Sequence, residues 1–417
     1  MYRHVYRKLP AAAALAVFAA CQDAPTAVVP TPLLEGFGIS QARQVDELPQ
    51  VPTHAVNGQV VPDQYIVVLK GNTADVSSSA RRLAVEHGAR LGYVYEAALK
   101  GFSVRMSAAA AARLARDPAV DYVEADRVVT AQSTQYLAPF GLDRIDQVSL
   151  PLSNTFTYTR SGTGVRIYVL DSGTRITHLE FALAPGISRA SYGYDFIDND
   201  AVADDCGGHG THVAGIAAGR TYGVAKNAYI RAVRVLDCTG SGTYAQIIAG
   251  VNWVTANAIR PAVANLSFYG PNDRSFKSAV ANSIAHGITY VVAAGSYPVD
   301  ACTMSPGSVA TALTVTGSDA RSDFRMLNTA YGACVDLFAP GGPIQSAWNT
   351  SDVATWFLSG TSQAAPFVTG VVAQYLQTSP TASPANVHAK ILGMASLGKI
   401  KGTTLLGTPN KLLRTTL

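Results

Sequence analysis

Apolar positions follow two different periods along the first part of this chain. Between residues 59 and 126, runs with alternating or continuous apolar residues are interrupted by stretches with helical spacing. The segments, in chain order, are VVPDQYIVVLK, VSSSARRLAVEHG, GYVYEAALKGFSVRM, AAAAARLARDP and AVDYVEAD. This pattern predicts the order β-α-β-β-α-β, which is typical of a small ferredoxin-like α+β unit.

After a short polar junction, the pattern changes to continuous apolar runs separated by longer helical stretches. Such β-branched runs predict strands of a parallel sheet that is buried by helices on both faces, an α/β unit of three layers. The runs are VRIYVLD, YIRAVRVLD, AVANLSF, ITYVVAAG and ALTVTG. In sheets of this kind, sites lie at the carboxyl ends of the strands, and Asp171 follows directly after the run VRIYVL.

The N-terminus predicts export. A basic stretch, MYRHVYRKLP, precedes the apolar run AAAALAVFAAC, so residues 1–21 fit a signal peptide that is too short to span a bilayer. Residues 22–58 are rich in Pro, Ala, Val and Gln without a sustained period, which predicts a linker. The segment FAAC, which ends at Cys21, is also similar to a bacterial lipobox. Lipid attachment at Cys21 and simple cleavage nearby are therefore both open.

Composition narrows the class of protein. The chain has 417 residues, of which 48% are hydrophobic and 14% are charged, enough for one large core and a small accessory domain. The formal net charge is +4 and no dense basic tract is present, so we expect no nucleic-acid partner.

Besides Cys21, the cysteines are Cys206, Cys238, Cys302 and Cys334. An even number in an exported chain predicts disulfides, in one of three pairings, whereas no C-x-x-C pair supports zinc.

Three glycine-flanked segments carry candidate chemistry: VLDSG around Asp171, GHGTH around His209 and SGTSQAAP around Ser362. A serine hydroxyl becomes a good nucleophile when an imidazole takes its proton and a carboxylate holds that imidazole. Apolar periodicity begins directly after Ser362, which predicts this serine at a helix N-terminus with its own N–H directed toward an oxyanion. Taken singly, Ser362 could be a helix cap and His209 a packed helix residue. Taken together, the three segments predict a serine hydrolase.

The motifs D-S-G, G-H-G-T-H-V-A-G and G-T-S-x-A-A-P resemble those of subtilisin-like serine proteases, in particular the proteinase K and aqualysin branch. The order Asp, His, Ser along the chain is the one that subtilisin shows. The resemblance covers roughly residues 137–417 and includes several separate segments. They are GLDRIDQ, YGVAKNA, VRVLDCTGSG, CVDLFAPG and GTPNKLL.

The resemblance implies that the chain is made as a proenzyme. Residues 59–132 are similar to the inhibitory propeptide of the family, a folding chaperone that is cut off, here near Gln132. The peptidase domain then covers residues 133–417. The resemblance also implies two disulfides, which pair Cys206 with Cys238 and Cys302 with Cys334.

In this family the substrate lies as an extended strand between two segments of the enzyme, and backbone hydrogen bonds provide much of the affinity. The resemblance also implies a broad apolar or aromatic preference in the first side-chain pocket. Tyr269 replaces a glycine of the family, and its ring either narrows the cleft or points into solvent. The implied substrate-binding residues are Gly240, Ser241, Gly242, Leu266, Ser267, Phe268, Tyr269, Gly270, Ala293, Ala294 and Gly295.

Further departures from the family lie around the expected site. Ser296 stands where the family has an asparagine that donates a hydrogen bond to the oxyanion. A serine side chain is shorter, and loss of that donor in subtilisin costs roughly 10² to 10³ in kcat. Beside the nucleophile, Gln363 replaces a methionine and needs a polar partner if it is buried, and Phe367 replaces a histidine. These changes predict a slower or narrower protease than the three motifs alone.

The resemblance implies structural Ca²⁺, which carboxylates and backbone carbonyls bind. One implied ligand is Asp336, and a second site is implied by Asp143, Asp146 and Gln147, with Ser153 and Thr155 at the places of its remaining side chains. For each site, a helix cap or a surface ion pair is the alternative role of the carboxylates.

Two hypotheses on function follow. The first is a secreted, monomeric serine endopeptidase that hydrolyses polypeptides through an acyl-enzyme on Ser362. His209 acts as base and then acid, Asp171 orients it, and Ser296 stabilises the oxyanion together with the N–H of Ser362. The second is a catalytically weakened or inactive subtilisin-fold binding protein. The presence of Asp171, His209 and Ser362 together favours the first.

Overall fold

The computed structural model describes residues 60–128, 133–402 and 404–417. The predicted signal peptide with Cys21, the linker over residues 22–58 and the expected cleavage site near Gln132 lie outside these ranges. Within the described ranges, no helix is long and apolar enough to cross a membrane.

The small unit, residues 60–128, has the predicted order β-α-β-β-α-β. Its elements are β1 (Val60–Leu69), α1 (Val76–Glu86), β2 (Arg90–Tyr95), β3 (Gly101–Arg105), α2 (Ala108–Leu114) and β4 (Val120–Arg127). The four strands form one antiparallel sheet in the order β2-β3-β1-β4. The α+β prediction for this part of the chain is therefore confirmed.

Helix α1 shows how the local sequence builds this unit. The carboxylate of Asp75 accepts a hydrogen bond of 2.9 Å from the backbone N–H of Ser78 and so caps the first turn. Val76, Ala80 and Leu83 are buried, and their spacing places them on one face of the helix. This face and the strands of the sheet share one hydrophobic core.

The large unit, residues 133–417, contains six helices and seventeen strands within its described residues, besides two short 3₁₀ helices (Leu179–Phe181 and Ala301–Thr303). The helices are α3 (Phe140–Ile145), α4 (His209–Ala218), α5 (Tyr244–Asn257), α6 (Arg274–Ala285), α7 (Thr361–Thr378) and α8 (Pro384–Met394). The strands are β5 (Ser133–Tyr136), β6 (Thr155–Tyr158), β7 (Arg166–Asp171), β8 (Ala182–Ala184), β9 (Ile187–Ser188), β10 (Ala190–Asp195), β11 (Tyr229–Arg234), β12 (Ala262–Leu266), β13 (Gly270–Pro271), β14 (Thr289–Ala293), β15 (Met304–Ser305), β16 (Leu313–Asp319), β17 (Leu337–Gly342), β18 (Ile344–Ala347), β19 (Thr355–Leu358), β20 (Ser396–Leu397) and β21 (Lys411–Leu412).

Nine of these strands form the central sheet, in the order β10-β11-β7-β12-β14-β16-β17-β21-β20. All neighbouring pairs are parallel except β20 and β21. The five apolar runs that predicted strands correspond to β7, β11, β12, β14 and β16. The prediction of a mainly parallel sheet is confirmed.

Helices cover both faces of this sheet, and successive residues of β7 face opposite layers. Ile167 and Val169 belong to the core that includes residues of α4, α7 and α8. Tyr168 and Leu170 belong to the core that includes residues of α5 and α6. All four side chains are at most 1% exposed, and these central residues of the strand are apolar because both of its faces are covered. The three-layer prediction is therefore confirmed.

A buried ion pair fastens α3 to the loop that follows β16. Arg144 is fully buried, and its Nε and Nη2 lie 2.6 and 3.1 Å from the two carboxylate oxygens of Asp323. A third donor, Nη1, bonds to the carbonyl of Gln147 at 3.0 Å. If either charge of a buried bidentate pair is removed, the other charge stays buried without compensation.

We expect Asp323→Asn to lower the stability of the protein by about 3–5 kcal/mol, because Arg144 then stays buried without a countercharge. For a domain of this size, that corresponds to a fall in Tm of roughly 6–10 °C. The matched control is Asp352→Asn, which breaks the half-exposed pair with Arg175 and costs less than about 1 kcal/mol. Thermal unfolding of both variants tests this, and equal Tm shifts would contradict it.

Candidate active site

Asp171 is the last residue of β7 and lies at the carboxyl edge of the sheet, where the sequence predicts it. Its side chain is fully buried. One carboxylate oxygen, Oδ1, accepts a hydrogen bond from the N–H of Ser172 and lies 2.7 Å from Nδ1 of His209. The other oxygen, Oδ2, is buried without a hydrogen-bond partner. The carboxylate therefore directs its main polar contact at the imidazole.

His209 is the first residue of α4, and Gly208 before it has a φ of +88°, in the left-handed region that favours glycine. A Cβ at Gly208 would also lie 2.5 Å from the ring of Trp348. Both conditions require glycine at this place. Gly208 of the GHGTH motif therefore allows the helix to begin where it presents His209.

Asp205 holds the loop between β10 and α4. Its carboxylate accepts hydrogen bonds from the N–H groups of Gly207, Gly208 and Thr211, from the Thr211 hydroxyl and from the hydroxyl of Ser172. Since Ser172 follows Asp171 directly, this network fixes the chain after β7 against the start of α4. Sequence reasoning missed Asp205, although its position just before the GHGTH motif marks it as a loop-fixing residue.

The side chain of His209 is 28% exposed, so its imidazole is accessible from the surface. Burial lowers its pKa, but the charge of Asp171 and the hydrogen bond to it outweigh this, and the net shift of the His209 pKa is upward. Asp171 therefore stabilises the charged imidazolium, as a base that accepts a proton needs.

Ser362 is the second residue of α7, so the structure places it at a helix N-terminus as the sequence predicts. Its Oγ donates a 2.8 Å hydrogen bond to the carbonyl of Ser267. Among the described residues, no hydrogen bond joins this hydroxyl to His209. The hydroxyl must rotate before it can reach the imidazole, which is common in sites without substrate.

Ser296 follows β14 and lies beside the start of α7. Its Oγ is 3.4 Å from Oγ1 of Thr361, at the long limit of a hydrogen bond. The same threonine hydroxyl accepts a 3.2 Å hydrogen bond from the N–H of Gly295. Ser296 thus stands next to the helix N-terminus that carries Ser362, in the place that the resemblance implies for an oxyanion donor.

A cleft of about 400 Å³ lies against His209 and Ser362. Of the predicted substrate-binding residues, it is lined by Gly240, Ser267, Phe268 and Tyr269. Ser241, Gly242, Gly270 and Gly295 do not line it, and the side chains of Leu266, Ala293 and Ala294 are fully buried. Its other lining residues, which sequence reasoning missed, flank the predicted motifs directly and are Ser172, Gly207, Leu236, Cys238 and Thr239.

The two substitutions beside the nucleophile are both buried. Gln363 is 2% exposed, and its Nε2 has no hydrogen-bond partner, so the polar group that needs a partner does not have one. Phe367 is 1% exposed and packs against Gly141, where a Cβ would lie 2.2 Å from the end of the ring. The phenyl ring therefore requires glycine at the start of α3.

The four cysteines form two disulfides, Cys206–Cys238 and Cys302–Cys334. These are the pairs that the resemblance implies. The first bridge joins the loop before α4 to the loop after β11, and Cys238 lines the cleft. It therefore holds one wall of the cleft next to the loop that presents His209.

The implied calcium ligands differ in their surroundings. Asp336 uses both oxygens: one accepts from the N–H of Thr314 at 2.8 Å, and the other lies 3.1 Å from Nε2 of His388. Among the described residues, no cluster of three or more His, Cys, Asp or Glu side chains is placed to hold a metal. Both oxygens of Asp336 are therefore engaged by other residues of the protein.

The second implied site is different, because it leaves a carboxylate oxygen free. Asp146 accepts from the N–H of Thr157 through Oδ2, while its buried Oδ1 has no partner. Burial, together with the nearby charge of Asp143, raises the pKa of Asp146 to about 6. Asp143 itself accepts from the N–H groups of Ser153 and Asn154. Two close carboxylates with an unused oxygen fit a hard cation.

Comparison with known proteins identifies relatives of both units of the chain. Residues 162–412 match the subtilase family, and residues 64–132 match the peptidase inhibitor I9 family. The chain belongs to the subtilase family. The inhibitor match confirms the predicted propeptide type, and the match over the large unit confirms the resemblance that the Asp, His and Ser motifs carry.

Similar subtilases include the extracellular serine proteinase of Thermus sp., 45% identical, with 86% of this chain and 90% of the relative covered. The alkaline serine exoprotease A of Vibrio alginolyticus is 43% identical, with 88% and 70% covered. Among solved structures, that of a cold-adapted subtilisin-like serine proteinase matches with a TM-score of 0.64 at 45% identity and covers 67% of this chain and 99% of that one. The chain is thus a subtilisin-like serine endopeptidase.

We expect Ser296→Asn to raise kcat by roughly 10-fold or more, because the longer carboxamide extends a donor further toward the oxyanion than the serine hydroxyl does. The matched control is Ser296→Ala, which supplies no donor and therefore gives no rise. Steady-state hydrolysis of one peptide substrate by the three proteins measures the effect. A kcat for Ser296→Asn no higher than that of the unchanged protein would show that this position does not limit the rate.

Proposed function

We propose that Ser362 is the nucleophile, His209 the general base and acid, and Asp171 the residue that orients the imidazole in peptide-bond hydrolysis. The observation that carries this assignment is the 2.7 Å contact between Nδ1 of His209 and Oδ1 of Asp171 at a cleft that also exposes Ser362. Nδ1–H donates a hydrogen bond to the carboxylate, so Nε2 is free to accept a proton from a hydroxyl.

The reaction then proceeds in two halves. Ser362 leaves the carbonyl of Ser267, passes its proton to Nε2 of His209 and attacks the peptide carbonyl. His209 returns that proton to the amine as the peptide C–N bond breaks, which leaves an acyl group on Ser362. Water, deprotonated by the same imidazole, attacks this ester and releases the acid and the free hydroxyl. Asp171 stabilises the imidazolium in both halves.

When Ser362 attacks, negative charge develops on the carbonyl oxygen of the substrate, close to the start of α7. The N–H of Ser362 belongs to the first turn of that helix, whose N–H groups lack partners within the helix and carry partial positive charge. Ser296 supplies a second, shorter donor from the neighbouring segment. We infer that stabilisation of the oxyanion rests mainly on the backbone donor.

The substrate binds as an extended strand against the segments 240–242 and 266–270. Gly240 and Ser267, one from each segment, line the cleft together with His209 and Ser362. Backbone contacts of this kind give affinity without demanding particular side chains. This supports polypeptides as the substrate class.

The chain is made as a precursor. Residues 59–132 form the propeptide, which assists folding and inhibits the enzyme, and residues 133–417 form the peptidase. The family matches over residues 64–132 and 162–412 support this division. Strand β5 begins at Ser133, directly after the proposed cleavage site near Gln132. We further infer that the mature enzyme is extracellular, as the name of the Thermus relative states for that protein, and monomeric. Lipid attachment at Cys21 stays a prediction from the sequence.

Expression of residues 22–417 tests the assignment of the nucleophile. We expect the unchanged chain to cleave itself near Gln132 and to bind a fluorophosphonate covalently at Ser362, because its hydroxyl is activated by His209. The Ser362→Ala variant stays full-length and unlabelled. Ser379→Ala, which changes a serine at the opposite end of the same helix, is the matched control and behaves like the unchanged chain. Gel mobility and label fluorescence report both results.

A folded chain that neither cleaves itself nor takes the label would contradict the endopeptidase and leave the binding protein as the function. Circular dichroism establishes that the chain is folded. Labelling that persists in Ser362→Ala would place the nucleophile elsewhere.

We also propose that Asp143, Asp146 and Gln147 hold a structural Ca²⁺. The unpartnered oxygen of Asp146 and the closeness of Asp143 support this site. A divalent cation would relieve the repulsion between the two carboxylates and so stabilise the loop after α3. Asp336, whose oxygens contact Thr314 and His388, is not proposed as a ligand.

We expect Ca²⁺ at 100 times its Kd to stabilise the precursor by about 2.7 kcal/mol, which raises Tm by roughly 5 °C, and chelation to reverse the shift. Asp146→Asn abolishes the shift because it removes the free charged oxygen. Asp336→Asn is the matched control and retains it. Thermal unfolding in the Ser362→Ala background, where self-cleavage is absent, measures the three Tm values. A shift lost in Asp336→Asn but retained in Asp146→Asn would refute the assignment.

A further inference from the structure

Tyr269 occupies the crevice between the chain segments that leave β12 and β14. These strands are parallel neighbours, so the segments that follow them, residues 267–270 and 294–297, run out side by side at the same edge of the sheet. Such crevices beyond the carboxyl ends of strands are where α/β proteins bind ligands. In this protein, however, a side chain of the protein itself lies there.

The contacts of Tyr269 fix its ring across this crevice. A Cβ built on Gly295 would lie 3.5 Å from Cγ and 3.7 Å from Cβ of Tyr269, so the tyrosine covers that face of Gly295. The ring of Tyr297 meets the ring of Tyr269 edge-on, with centroids 5.7 Å apart and an interplanar angle of 83°. Tyr269 is half-buried, whereas Tyr297 is 60% exposed. Of the two alternatives for Tyr269, the structure favours the ring that narrows the cleft.

The crevice adjoins the nucleophile on both sides. The carbonyl of Ser267, two residues before Tyr269, is 2.8 Å from Oγ of Ser362. On the other wall, Ser296 contacts Thr361, the residue before the nucleophile. When the carbonyl carbon of the acyl residue bonds to Oγ of Ser362, the side chain of that residue begins two bonds away, at Cβ. The space between the two segments is therefore within reach of that side chain.

The residues that line the neighbouring cleft agree with this position of the Tyr269 ring. It is bounded by Phe268 and Tyr269 on the side of β12, and none of residues 293–297 lines it. The ring of Tyr269 thus separates the open cleft from the wall that Gly295 forms. A large side chain on the acyl residue would have to displace this ring.

We propose that Tyr269, braced by Tyr297, fills the first side-chain pocket and restricts the acyl residue of the substrate to glycine or alanine. This inference rests on the proposed function, since it describes the substrate of that same site. It replaces the broad apolar or aromatic preference that the family resemblance implies. A pocket of this kind discriminates by steric exclusion, and each excess methylene group changes kcat/KM by roughly 10- to 200-fold.

The test compares two peptide substrates that differ only in the acyl residue, alanine or phenylalanine. We expect the unchanged enzyme to prefer alanine by at least about 10-fold in kcat/KM. Tyr269→Gly opens the crevice and raises the ratio of phenylalanine to alanine by at least about 10-fold. Tyr269→Phe keeps the ring and retains the preference for alanine, which makes it the matched control. Tyr297→Ala removes the brace and raises the ratio by a smaller factor.

Fluorophosphonate labelling separates the possible failures. An enzyme that takes no label at all contradicts the proposed function, whatever its specificity. A labelled enzyme that cleaves after phenylalanine as well as after alanine overturns the inference about Tyr269. So does a ratio that does not change in Tyr269→Gly, or one that changes equally in Tyr269→Phe. If Tyr269→Gly does not fold, the substrate preference of the unchanged enzyme and the ratio for Tyr297→Ala decide.

Discussion

The parallel alignment of β7, β12 and β14 is the constraint on which the site depends. Leu170, Leu266 and Val292 lie side by side in adjacent strands, so the chain leaves all three strands at one edge. Asp171 and the segments that begin at Ser267 and Ala294 are consequently neighbours in space although they are far apart in sequence. Helix α7 starts at the same edge and brings its second residue against the carbonyl of Ser267. A slip of one residue in any of these strands would turn its side chains to the opposite layer and would displace the segment that follows it from the site.

The groups at this edge are held by backbone geometry more than by side-chain packing. Gly208 requires a positive φ and a close approach to Trp348, and Asp205 gathers donors from both sides of the loop. Asp171 is left with few donors, since Oδ2 has none. A buried carboxylate with few hydrogen bonds keeps its charge available for the imidazole, which is the direction in which the His209 pKa moves. Rigidity at His209 therefore comes from the loop that precedes α4, whereas its electrostatics come mainly from Asp171 at the end of β7.

Much of the fold could be predicted because it rests on local patterns. The runs that became β7 and β12 are mainly apolar because both faces are covered. The helix start beside Ser362 could be predicted because apolar periodicity begins after this residue. The direction of the Tyr269 ring could not be predicted, since it depends on contacts with Gly295 and Tyr297, which lie in the segment after β14. The contact of Asp336 with His388 could not be predicted for the same reason, because a helix distant in sequence brings the histidine. Motifs predict which residues act, whereas contacts between distant segments decide what surrounds them.

The departures from the family act on one another because they share a crevice. Tyr269 and Ser296 lie on opposite walls beside Ser362, and the first reduces side-chain binding of the substrate while the second weakens a donor to the oxyanion. Binding energy from parts of a substrate distant from the reacting bond ordinarily offsets the cost of holding the carbonyl in place. An enzyme with a filled first pocket draws that energy from the strand pairing at residues 240–242 and 266–270 instead. Its turnover should therefore rise with substrate length, because backbone contacts must replace both the missing pocket and the shorter donor.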